Sequence, residues 1–114
     1  MIVPGSNDPF VVRFCNTSET PIESMHEVLV TLWQDLHGGK SKLIKQWWKE
    51  NMLITGNVAI CPVTEAETAA MPQTVLYFEA KAWNEYGENK CWDEFPIDVK
   101  HRRDKDITLR EVEG

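Results

Sequence analysis

Between residues 20 and 51 the apolar side chains Ile22, Met25, Val28, Leu29, Leu32, Trp33 and Leu36 recur every three or four positions. That spacing sets them on one stripe of a helix, and such a stripe has to be buried against something. The start carries its own signal. Thr20 and Glu23 form a capping-box pair, and Pro21 suits the first helical position, where an N–H would have no partner. His37 followed by Gly38 marks the stop. A second helix is predicted over residues 41–51, pivoting on Gly38 and Gly39. It carries Leu43, Ile44, Trp47 and Trp48 on one side and Lys42, Lys45 and Lys49 on the other.

The remaining patterned segments have a period of two. Phe10, Val12 and Phe14 alternate with Val11, Arg13 and Cys15, and residues 58–63 form a short apolar run that ends at Pro62-Val63. Residues 74–84 are the clearest strand: Leu76, Phe78, Ala80 and Ala82 share one face, while Val75, Tyr77, Glu79, Lys81 and Trp83 share a half-wet, aromatic one. Residues 84–90 read as a turn with Gly87 available for a positive φ, so residues 91–100, where Phe95, Ile97 and Val99 alternate with polar neighbours and Pro96, complete a hairpin. Residues 64–73 form a connection in which Thr64 and Glu67 cap one helical turn before Pro72 stops it. A last strand is expected around Ile107, Leu109 and Glu111. The predicted fold is α+β: two consecutive helices packed on one face of a mostly antiparallel sheet of four to five strands, in the order β-α-α-β-β-β-β. With 114 residues the chain supplies one core and not two, so a single domain over 1–114 is expected.

Charge narrows the partners. The formal net charge is −6, spread as −4 over residues 1–39, +3 over residues 40–51 and −5 over residues 52–114. An acidic balance repels a nucleic-acid backbone and favours basic partners. Five tryptophans are more than so small a body buries easily, and tryptophan is enriched where proteins meet. Cys15, Cys61 and Cys91 are widely spaced and odd in number, which argues for reduced thiols rather than a disulfide framework. The opening Met1-Ile2-Val3-Pro4-Gly5 lacks the basic and apolar regions of an export signal, and no apolar run reaches bilayer length. A cytoplasmic protein with no membrane contact is therefore expected.

No constellation of residues spells out a reaction. Gly39-Lys40-Ser41 resembles the end of a phosphate-binding loop, but Gln34 stands where its first glycine belongs, leaving at most an anion at the start of the second helix. His26, His37, His101 and the three cysteines show none of the close ligand pairs that structural zinc needs, and no thiolate-stabilising site marks a nucleophile. No metal and no cofactor are expected. The acids Glu85, Glu88, Asp93, Glu94 and Asp98 could do acid–base work if burial raised one of them. Interleaved with Tyr86, Trp92 and Phe95, they better suit a recognition edge for a cationic partner.

The function expected is that of a small acidic protein-binding domain, without enzymatic activity, acting as an inhibitor or antagonist of a partner protein with a basic surface. Its contacts would be Trp83, Tyr86, Glu88, Trp92, Asp93 and Glu94. The alternatives are a nucleic-acid-binding accessory protein using Lys40, Lys42, Lys45, Lys49, Arg102 and Arg103, or a small-nucleotide pocket between helices and sheet.

Overall fold

In the computed structural model, which describes residues 1–14 and 21–99, the stretch read as two helices is a β-hairpin. β1 (Phe10–Arg13) precedes it. β2 (Glu27–Asp35) and β3 (Ser41–Trp48) run antiparallel. Their loop turns on Gly38 and Gly39, with φ of 76° and 73°. Such values lie in the left-handed region that glycine enters without steric cost.

The helical spacing has a simple origin. Val28, Val30 and Leu32 point inward, while Leu29 and Trp33 point outward and are half-buried, so a stride of three or four residues always lands on something apolar. The β-branched Val28, Val30 and Thr31 and the aromatic Trp33 favour extended backbone over helix. No long helix starts here either. Ile22–Ser24 makes one 3-10 turn, and the Glu23 carboxylate accepts from the Gly56 N–H at 3.0 Å. Thr20 lies outside the described residues.

The chain continues through β4 (Leu53–Thr55), β5 (Val58–Cys61), a five-residue helix α1 (Glu65–Ala69), β6 (Val75–Trp83) and β7 (Asn89–Asp98). Two antiparallel sheets result, one in the order β1-β5-β4 and the other in the order β3-β2-β6-β7. The expected α+β arrangement is therefore wrong: a second sheet, not a pair of helices, backs the first. Strands one, four and five therefore share one sheet and strands two, three, six and seven the other, so the chain passes between the sheets after β1, β3 and β5. That is a statement of topology and carries no function.

The sheets meet through Phe10 of β1, whose ring stands edge-on to Trp47 at 5.8 Å and to Phe78 at 5.5 Å between centroids. Around them lie Val12, Ala59 and Cys61 of the smaller sheet and Val30, Leu32, Leu76 and Ala80 of the larger, all within the buried core. Trp47 resolves its one polar atom by donating its indole N–H to the Pro62 carbonyl at 2.8 Å. The capping box at Thr64 and Glu67 is present as its spacing predicts. Thr68 of α1 is buried and donates its hydroxyl to the Ser6 carbonyl at 2.6 Å, tying the start of the chain to the connection between sheets. Among the described residues no helix is long and apolar enough to cross a membrane. The strand expected near residue 107 lies outside them.

Candidate functional site

Only one face of the larger sheet is used by the core, and the period of two sends every other side chain to the opposite face. Strand register sets that outer face out in rows. Trp48, Leu29, Lys81 and Trp92 stand in one row; Gln46, Thr31, Glu79 and Glu94 in the next; Leu43, Trp33, Tyr77 and Pro96 in a third. Glu27 and Trp83 pair at the end nearest the β6–β7 turn. Four of the five tryptophans thus look away from the core. Trp92 is 48% exposed and Trp48 36%, and the described residues form no layer above them.

The face is ordered by its own contacts. Trp48 and Trp83 lie 6.4 Å apart with their planes 30° off parallel. Trp92 donates its indole N–H to one Glu79 oxygen at 3.3 Å, and the Lys81 ammonium sits 3.3 Å from the other. The Trp33 indole N–H donates to the Thr31 hydroxyl at 2.7 Å, and that hydroxyl donates to the Glu79 carbonyl. Side chains already held in place lose less entropy when a partner arrives. Among the described residues paired in register, the outward charges are the carboxylates Glu27, Asp35, Glu79, Glu94 and Asp98 against the ammonium of Lys81, so these rows are acidic as well as aromatic.

The β6–β7 turn extends it. The Asn84 side-chain oxygen accepts from the N–H groups of Tyr86 and Glu88, both at 3.0 Å, and Gly87 takes a φ of 78°. This fold-back leaves Tyr86 79% exposed. Hydrogen bonds from Asn84 and then Lys90 hold the Glu88 carboxyl below the usual carboxylate range.

Of the residues read from the sequence as contacts, Trp83, Trp92 and Glu94 share the outer face, and Tyr86 and Glu88 sit on the turn at its end. Asp93 does not join them. It is paired with Ala80 on the inward side and is 8% exposed, so it is not available to a partner. Trp33, Trp48 and Leu29 belong to the face but were placed on helices by their spacing; alternation within residues 27–35 and 41–48 was the signal that could have found them.

The lysines are distributed differently from the expected helical stripe. Lys45 points to the side opposite Trp48, where it pairs with Glu67 and lies 5.5 Å from the Trp47 ring centroid. Partial burial pushes the Glu67 carboxyl up, but hydrogen bonds from Lys45 and Thr64 and the Lys45 charge outweigh it, leaving a lowered pKa. Lys49 donates to the Met25 carbonyl. Lys40 lies in the hairpin loop and Lys42 near the start of edge strand β3. Charged side chains there deter pairing with another chain. These lysines and the exposed tryptophans therefore do not form one surface. Arg102 and Arg103 lie outside the described residues. The pocket expected between helices and sheet has no counterpart, because those helices are strands.

Burial pushes the Cys61 thiol up to about 12, so it carries no thiolate near neutrality. Cys91 is also buried, and Cys15 lies outside the described residues. Among the described residues no group of three or more His, Cys, Asp or Glu side chains is arranged to hold a metal. Comparison with protein-family models, with curated proteins and with solved structures returns no match.

Proposed function

We propose that this chain is a non-enzymatic protein-binding domain that acts as an inhibitor or antagonist, laying the outer face of the β3-β2-β6-β7 sheet on a basic surface of a partner protein. The observation that carries the reading is the concentration of four tryptophans among five outward carboxylates on one ordered sheet face. Aromatic anchors supply contact area at little conformational cost, and surrounding charge of one sign selects and steers a partner of the other. The buried thiol of Cys61, in no disulfide, suits a reducing compartment, and a cytoplasmic setting is part of the proposal.

The test uses the whole chain as bait from cells of its native host, beside a variant with Trp92→Ala and Glu94→Gln combined. A partner retained by the unaltered chain should bind the variant about a hundredfold more weakly, as loss of one central anchor and one charge implies. The melting temperature should move little, since both side chains face outward. Equal retention by both proteins removes the outer face from the contact. A variant that unfolds would show that these residues serve stability instead.

A further inference from the structure

At the end of the outer face, Trp48, Trp83, Glu27, His26, Asn84 and Gly87 enclose a shallow recess of about 270 Å³. We propose that this recess binds an arginine side chain presented by the partner, a deepening that rests on the protein-binding reading above. Three observations lead to a guanidinium rather than to another group.

The first is the indole pair. Both indoles line the recess, with ring centroids 6.4 Å apart and planes 30° from parallel, so a group seated there meets indole surface from each. A planar, weakly hydrated cation gains by lying against an indole, since the ring faces are electron-rich and little water has to be stripped from it. The second is the carboxylate. Glu27 sits directly across the ladder from Trp83 and also lines the recess, and among the described residues its carboxylate has no ion pair or hydrogen bond. A guanidinium can stack on the indoles and turn one edge to that carboxylate at the same time, which a point charge on a flexible stem does less well.

The third is that the nearby lysines are engaged elsewhere: Lys81 with Glu79, Lys49 with the Met25 carbonyl, and Lys90 with Glu88. The recess also has a firm frame. The His26 N–H donates to the Trp83 carbonyl at 2.9 Å, fixing the end of β2 on β6, and the Asn84 turn closes the far side. Negative charge at the rim and elsewhere on the face argues against an anionic occupant, and equally against a second copy of this face.

The probe is acetyl-arginine methylamide, with acetyl-citrulline methylamide as its neutral counterpart of nearly the same shape. Each is titrated into the nitrogen-labelled chain while the five indole N–H signals are followed. Arginine should shift the Trp48 and Trp83 signals saturably, leaving Trp33, Trp47 and Trp92 nearly still, and citrulline should bind about tenfold more weakly. Glu27→Gln should weaken arginine binding about fivefold, and Trp48→Ala should abolish it. The unmoved signal of buried Trp47 certifies that each variant is folded. If Trp48→Ala does not fold, the citrulline comparison and Glu27→Gln still decide. Equal binding of the two probes, shifts spread over all five indoles, or no saturation would overturn the arginine site. Such a result together with partner loss on Trp92→Ala/Glu94→Gln would leave the face as a contact surface while removing this recess from it.

Discussion

Trp47 and Trp48 are neighbours with opposite fates, because consecutive side chains of a strand project to opposite faces. Trp47 is 2% exposed, hydrogen-bonded to Pro62 and packed by Phe10, whereas Trp48 lies on the outer face. Trp47→Ala should therefore cost about 3–5 kcal/mol in denaturant unfolding, and Trp48→Ala about 1 kcal/mol or less. Cys61 makes a second prediction. Its thiol ionises at about 12 in the folded chain against 9.0 for the ordinary group, because burial disfavours the thiolate. Its contribution is thus fully present below pH 9 and is lost as pH rises from 9 toward 12, by up to about 1.4 kcal/mol per pH unit. Cys61→Ala should remove that part of the alkaline slope in pH-dependent unfolding, at the cost of lower stability near neutrality. At this scale the sequence was legible where alternation was respected. Trp92 and Glu94 share a parity that faces outward, while Asp93 shares the inward parity of Cys91 and Phe95 despite its charge.

Elements were legible in proportion to the contrast between their two faces. β6 carries small and apolar residues on one side and polar or aromatic ones on the other, so its period of two was plain, as was the turn through Gly87. The single helical turn announced itself through the Thr64 and Glu67 capping box. β2 gave no such contrast, since its outer side is aromatic and aliphatic too, and local spacing could not choose between periods of two and 3.6. The loop glycines did hold the answer. With φ of 76° and 73°, Gly38 and Gly39 close a hairpin rather than a helical corner. Open space surrounds each of them, so the strain of a side chain there is conformational and not a clash. Gly38→Ala and Gly39→Ala should each destabilise the chain by about 1 kcal/mol in chemical denaturation. Equal stability to the unaltered protein would mean that the loop takes another course.

For the molecule as a whole, pairing across distance decides the fold, and single-chain patterns say little about it. That β1 lies beside β5, and β2 beside both β3 and β6, follows from which inner faces fit around Phe10, Trp47 and Phe78. The aromatic and acidic character of the eventual surface was visible in the composition, but its location required the second sheet to be recognised. Once a sheet takes the place of the helices, Trp33 and Trp48 move from a supposed core to the same face as Trp83 and Trp92. That face is the central claim, and hydroxyl-radical footprinting of the free chain and of its partner complex, read by mass spectrometry, tests it most directly. In the free chain Trp48, Trp83 and Trp92 should be oxidised and Trp47 spared, and in the complex the first three should be protected. Oxidation of Trp47 at a rate like theirs, or undiminished oxidation of Trp92 in the complex, would contradict it.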